Sequence, residues 1–339
     1  GLLSFAAFLV AYAKRSRLSS QSLAADLASL RKAYGKEFDQ ELKKNFSFEH
    51  VRKYYHHTTD RDYKLLRLFI GEGQHSRLEM PPPIGHQSGG TRQPMLVYAE
   101  SRAMEARQVL EVGCGRGHCT IYLAATMPDA SFIGVDLVER QIKAAESASA
   151  LANLRNASFR VADASTLRAT RTFASGSFDL IFGCEALCHM DSESTAAAFM
   201  AEAAALLRIG GRLVIVDGFR SATFDTCSAE QRTAMMLAES GFRISAMPSK
   251  ALWKKLAAAQ NFVLVRELDL SHEALPFWRL GWRVARVVLL VPHLIRFVMS
   301  VSVACRETAA NLMSVATTAH AMRDRGAAEY GLLVFERTL

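Results

Sequence analysis

Three glycines at alternate positions follow an apolar run in Val109-Leu110-Glu111-Val112-Gly113-Cys114-Gly115-Arg116-Gly117-His118-Cys119. Only glycine lets a backbone turn this sharply and come this close to a ligand. The pattern is G-x-G-x-G behind a carboxylate, whereas a dinucleotide enzyme favours G-x-G-x-x-G, which lays a pyrophosphate on a helix N-terminus. The implied chemistry is capture of a nucleoside-like ligand that has no phosphate. Glu111 would balance a cation on that ligand, directly or through water, while backbone groups of Gly113, Cys114, Gly115 and Gly117 hold the rest.

Two further carboxylates follow in order. Phe132-Ile133-Gly134-Val135-Asp136 reads as a strand ending in an acid about 20 residues past the glycines, where Asp136, with Leu137 beside it, can hold a ribose diol. Ala157 to Val161 reads as the next strand, and Asp163, followed by Ala164, can accept a hydrogen bond from an adenine amino group. An Asp after a strand is also a common cap or turn residue, and Asp163 before Ala164-Ser165 has that use open to it. Taken in order, the three acids favour S-adenosylmethionine (SAM), with its ammonium, diol and adenine, over NAD.

A second group of reactive side chains lies at Phe178-Asp179-Leu180-Ile181-Phe182-Gly183-Cys184-Glu185-Ala186-Leu187-Cys188-His189. Cys184 completes the cofactor set. Methyl transfer from a sulfonium needs a nucleophile held in line about 3–3.5 Å from the methyl carbon. An alkene acceptor adds a carbocation to stabilise and a proton to remove, tasks suited to aromatic faces and to a carboxylate or imidazole. Glu185, His189 and Tyr55, with Tyr54, are the catalytic candidates; Asp217 is a lesser one. Orienting a loop amide is the other use open to Glu185, covering the site to His189, and packing to the tyrosines. His56 and His57 are adjacent and read as surface residues.

The elements that must position these groups follow from periodicity. Short β-branched runs alternate with helical stretches from Gln108 to Gly218, the mark of parallel strands with crossover helices. Strands are predicted near 109–112, 131–135, 157–161, 178–183 and 212–217, a helix near 227–240, and last strands over Phe262–Leu268 and Gly331–Glu336. Ser20 to Lys44 has the spacing of amphipathic helices. Residues 80–94, rich in proline and glycine, read as a linker or active-site loop. Between the last two strands, Trp278, Trp282 and Val287 to Met299 read as a helical lid with an apolar inner face, since Pro292 and Arg296 suit a spanning helix poorly. The division expected is a helical segment over 1–94, a ligand-binding core over 95–245 and C-terminal strands with the lid over 246–339.

Half of the 339 residues are apolar and 22% are charged, which excludes a mainly disordered chain. A net charge of +8 suits an anionic partner, but the cations are spread out and the aromatics sit in apolar segments, which argues against nucleic acid. The six cysteines are irregularly spaced and read as reduced thiols of an intracellular protein, with no metal site. Gly1 to Ala13 is an apolar run stopped by Lys14, Arg15 and Arg17. It is shorter than the about 20 residues a span needs. Because the first residue is not methionine, the run could equally be the tail of a longer anchor or an interfacial or core helix. Peripheral contact on a cytoplasmic membrane face, such as that of the endoplasmic reticulum, is the resulting expectation.

Residues 105–220 and the final strands resemble the class I SAM-dependent methyltransferases. The resemblance implies a seven-stranded Rossmann-like α/β sheet, with the helical N-terminal segment and the helical insertion before the last strand as additions. Glu185-Ala186-Leu187-Cys188-His189 is similar to the Glu-Ala-Thr-Cys-His sequence of sterol C-methyltransferases, with leucine for threonine. Tyr54-Tyr55 with Thr59-Asp60, and Gly71-Glu72-Gly73-Gln74, resemble the same subgroup, although Glu72 stands where those enzymes have tryptophan. The resemblance implies methylation of a lipophilic isoprenoid, most specifically a sterol-like acceptor. N- or O-methylation of a hydrophobic amine or phenol is the alternative, and a SAM-binding regulatory module the reading from another class.

Overall fold

The computed structural model describes residues 12, 16–47, 49–55, 92–168, 173–301 and 303–339. The apolar start other than Tyr12, His56 and His57, Thr59-Asp60, Gly71 to Gln74 and residues 80–91 lie outside the described residues. The strands are β1 (Gln108–Val112), β2 (Ser131–Asp136), β3 (Ala157–Val161), β4 (Phe178–Cys184), β5 (Leu207–Arg220), β6 (Phe262–Asp269) and β7 (Ala328–Arg337). The helices used below are α1 (Ser20–Tyr34), α2 (Lys36–Glu41), α3 (Arg92–Ala103), α4 (His118–Thr126), α5 (Glu139–Leu151) and α6 (Glu193–Leu206). They continue as α7 (Ala229–Gly241), α8 (Lys250–Ala259), α9 (Ser271–Val288), α10 (Pro292–Val301) and α11 (Val303–Met322).

All seven strands form one sheet in the order β3-β2-β1-β4-β5-β7-β6. β1 runs parallel to β2 and β4, β2 to β3 and β4 to β5, while β6 and β7 are antiparallel. β4 reads as a continuous apolar run because a parallel sheet is covered on both faces: Leu180, Ile181 and Phe182 are all buried. The predicted strands are all present. β5 begins at Leu207, earlier than its β-branched run suggests, because Gly210 and Gly211 carry the chain through a register irregularity opposite Phe178 and Leu180. Side-chain caps set the helix starts: Ser192 and Thr195 form a capping box at α6, and Ser249 accepts from the Leu252 N–H at α8.

The chain divides into two compact units, one made of residues 1–62, 220–246 and 274–329, the other of 63–219, 247–273 and 330–339. In the sheet unit, α3 buries one face through Gln93, Leu96, Val97 and Glu100, the spacing of a single helical stripe. Glu100 is 4% exposed and is paired by Arg212 of β5 at 3.1 Å and Arg266 of β6 at 2.6 Å. These two arginines compensate a carboxylate that would otherwise be costly to bury, and they hold the C-terminal half of α3 to β5 and β6.

The helical unit packs Leu30, Ala33, Tyr34, Phe38, Leu237, Ala285, Leu289, Ile295, Met299 and Met313 into one core. α9 presents Ala274, Trp278, Trp282 and Ala285 inward, so the apolar inner face read from its sequence exists. The buried carboxylate of Asp26 accepts from Trp282 Nε1 at 2.7 Å and lies 2.9 Å from both His320 Nε2 and Arg286 Nε. This cluster ties α1 to α9 and α11.

Candidate active site

The carboxyl ends of β1, β2, β3 and β4 lie side by side, which puts the glycine loop, Asp136, Asp163 and Glu185 along one edge of the sheet. Gly113 has φ 65°, and a Cβ there would lie 2.4 Å from the Ala186 Cβ. Gly117 has φ 79° at the N-cap of α4, and a Cβ there would lie 2.7 Å from the Phe159 ring. The outer glycines are therefore demanded by packing. A Cβ on Gly115 would meet nothing within 4 Å, so the middle of the loop faces open space.

Asp136 is held with one oxygen toward each of two backbone amides: Gly115 N–H donates to Oδ2 and Val138 N–H to Oδ1, both at 2.9 Å. A carboxylate anchored through both oxygens at a strand end suits a vicinal diol, and Leu137 is half-buried beside it. Asp163 does act as a turn residue, its Oδ1 accepting from Ser165 N–H at 2.8 Å and Ser165 Oγ–H at 2.7 Å. Those bonds orient the carboxylate, with half-buried Ala164 following it.

Glu111 is 1% exposed, and its Oε2 accepts from Thr120 N–H at 2.9 Å and Thr120 Oγ–H at 2.5 Å. It binds the first turn of α4, where a carboxylate satisfies an orphan amide and meets the positive end of the helix. Cys114 is fully buried against Ile142, Ala145 and Phe159, in space left by Gly134; its N–H donates to Val135 O and its carbonyl accepts from Gly117 N–H, both at 2.9 Å, so it shapes the loop. Cys184 is likewise buried, at the end of β4. An open-faced glycine loop followed by a fixed, partly exposed carboxylate fits SAM. Gly115 and its neighbours would receive the methionine end, and Asp136 the ribose.

Beyond β4 the chain turns sharply. Glu185 has φ 50°, and its N–H donates to Val216 O at 2.9 Å. Its Oε1 accepts from Gln93 Nε2 at 2.8 Å and from the Tyr330 hydroxyl at 2.9 Å, and Gln93 also donates to the Tyr330 oxygen. Burial, and then the charges of Glu185 and Asp217, push the Tyr330 hydroxyl well above its ordinary pKa, so it stays a donor. Because Ala186 packs against Gly113, the turn that carries Glu185 adjoins the cofactor loop.

Asp217 organises the same turn. Its Oδ2 accepts from Ala186 N–H at 3.1 Å and Cys188 N–H at 3.0 Å, and its Oδ1 from Gly218 N–H at 2.8 Å. Burial raises its pKa to about 6 against the pull of those bonds. The Cys188 thiol, pushed up by burial and by Asp217, stays protonated. His189 ends the single turn Leu187–His189; burial lowers its pKa to about 4, leaving a neutral imidazole.

The sheet unit thus brings together the glycine loop, Asp136, Asp163, Glu185 and His189. Tyr55 belongs to the helical unit, where its ring meets Tyr54 edge-on at 4.9 Å and the Tyr54 hydroxyl donates to Asn311. Sequence reasoning missed Gln93 and Tyr330. Neither carries a motif: Gln93 ends the proline-rich segment, and Tyr330 adjoins the last predicted strand.

Sheet order, glycine loop and carboxylate series define a class I SAM-dependent methyltransferase. Residues 109–211 match the family described as a methyltransferase domain. A SAM-dependent Diels-Alderase of Talaromyces variabilis is 26% identical over 227 residues, covering 62% of this chain and 74% of that protein. The chloroplastic tocopherol O-methyltransferase of Arabidopsis thaliana is 29% identical over 186 residues, covering 54% of this chain and about half (51%) of that protein. The solved geranyl diphosphate methyltransferase in complex with GPP and sinefungin superposes with a TM-score of 0.62 at 18% identity, covering 86% and 99% of the two chains. The protein is a SAM-dependent methyltransferase with SAM as its methyl donor.

Proposed function

We propose that the acceptor is a lipophilic isoprenoid, sterol-like in character, methylated at carbon. The observation that carries this reading is Glu185, a carboxylate held by Gln93 and Tyr330 on the turn whose next residue, Ala186, packs against Gly113. When bound, SAM supplies an electrophilic methyl group. Carbon methylation of an alkene leaves a positive charge on the acceptor and then requires loss of a proton. Glu185 faces that charge and takes the proton, Gln93 and Tyr330 hold its carboxylate in place, and Asp217 holds the turn that presents it. The names of a tocopherol methyltransferase among the relatives and of a geranyl diphosphate methyltransferase among similar folds support a lipophilic prenyl-bearing acceptor.

O-methylation of a prenylated phenol is the second reading, favoured by the tocopherol enzyme's activity at oxygen. Glu185 or the neutral His189 then accepts the phenolic proton. Incubation with methyl-labelled SAM and a panel of sterols, linear prenyl compounds, prenylated phenols and hydrophobic amines separates these. Label on a sterol or prenyl carbon is expected; label only on phenolic oxygen selects the second reading, and label confined to amines overturns both.

A further inference from the structure

α10 turns apolar side chains to the outside of the helical unit. Ile295 and Met299 face the core, while Leu294 (54% exposed), Phe297 (66%) and Val301 (61%) share the opposite face, and Leu290 (44%) and Val291 (46%) continue it through the elbow from α9. Spacings of three and four residues make this one stripe rather than scattered exposure. From Ala274 to Arg306 the sequence holds five arginines, at 279, 283, 286, 296 and 306, and no Asp or Glu. Arg286 is paired by Asp26, but Arg296 donates to the backbone carbonyls of Lys32 and Ala33, and among the described residues no carboxylate pairs with Arg279, Arg296 or Arg306. An outward apolar stripe in a stretch where three of five arginines have no carboxylate partner among the described residues has the composition of an interfacial helix.

We propose that α10 and the α9–α10 elbow seat the protein on an anionic membrane, with Leu290, Val291, Leu294, Phe297 and Val301 entering the headgroup and acyl boundary. α9 and α10 meet at 92°, and no single helix among the described residues is long and apolar enough to cross a bilayer. With Trp278, Trp282, Ile295 and Met299 turned into the helical unit's core, the exposed stripe is the face the pair offers to a membrane surface. Two residues ahead of α1 lie against the same helix pair: the Arg286 guanidinium of α9 lies over the Tyr12 ring at 5.3 Å and donates to Ser16 Oγ at 3.1 Å. Arg17, exposed just ahead of α1, adds positive charge. A second copy of this face is a poor partner, since pairing two such stripes brings like charges together, whereas acidic headgroups neutralise them.

Flotation of the full chain with vesicles of phosphatidylcholine alone, or mixed with phosphatidylserine, tests this. Binding to the mixed vesicles is expected, reduced by high salt and by about tenfold or more in Phe297→Asp and Leu294→Asp, because each puts a charge into the apolar boundary. Leu151→Asp makes the same change at a residue 85% exposed in the sheet unit and is expected to float like the wild type. SAM titration of each variant verifies that it is folded. Failure of the wild-type chain to float, or an equal loss in Leu151→Asp, overturns the proposal. So does a wild-type dimer that Phe297→Asp converts to monomers without any lipid binding, which would assign the stripe to a second copy.

Discussion

Glu185 adopts a left-handed backbone that a non-glycine residue takes only where its surroundings impose it, and here they do: strand β5 holds its N–H and two donors hold its carboxylate. Glu185→Gln preserves size while removing the ability to take a proton. Turnover is expected to fall by about 10²–10⁴ with SAM affinity unchanged; equal losses in both, measured by kinetics and calorimetry, would make the residue structural. Tyr330→Phe removes one of the two donors, and a drop in kcat of about tenfold without a rise in KM is expected of a residue that positions the carboxylate. His189 and Asp217 set opposing pH dependences. The imidazole, lowered to about 4, is neutral when folded but charged when unfolded below its ordinary value of 6.5, so stability from it falls as pH drops through that window. The Asp217 carboxyl, raised to about 6, is protonated when folded but ionised when unfolded, so stability from it falls as pH rises from about 4 to 6. Each slope amounts to about 3 kcal/mol across its window. Urea midpoints at a series of pH values should show His189→Gln losing stability toward neutral pH more steeply than the wild type, and Asp217→Asn gaining it.

Among the elements, the glycine loop and the α7–α11 crossing depend most on a missing side chain. Gly113→Ala demands both a positive φ and room that the Ala186 methyl already fills, so SAM affinity is expected to fall by about tenfold or more together with a loss of stability of about 1–3 kcal/mol, read by calorimetry and urea unfolding. A Cβ on Gly241 would lie 1.9 Å from Ser314 Oγ and 2.4 Å from the Ala310 carbonyl oxygen, against backbone that cannot swing aside. The helix-propensity gain of alanine, about 1 kcal/mol, is outweighed by overpacking of about 1–3 kcal/mol, and Gly241→Ala should lower stability in urea. The strands were legible because runs such as Phe178 to Cys184 are short, apolar and bounded by turn residues. The start of β5 was not, because Arg208 to Arg212 carries two glycines and two charges, and the sheet rather than local preference extends it.

For the molecule as a whole, the chain crosses between its two units several times, since each is assembled from three separate stretches. Residues 95–245 alone would hold β1–β5 but not β7, leaving an apolar β5 edge uncovered and Glu185 without Tyr330. Such a fragment is expected to aggregate and to show no SAM binding by calorimetry, whereas the full chain binds. A fragment that bound SAM tightly would show that the last strands are dispensable for the cofactor loop.

The sequence by itself determined the parallel-strand order of chemistry: glycine loop, then Asp136, then Asp163, then Glu185. Each of these lies within a residue or two of a strand end that local pattern reveals. Gln93 and Tyr330 were decided only by the tertiary structure, since they lie 92 and 145 residues from Glu185 and meet its carboxylate only when α3 and β7 pack into the same unit. The turn role of Asp217, and the burial that makes His189 neutral, have the same origin. Hydrogen bonding and desolvation depend on what surrounds a group in space, which spacing along the chain does not encode.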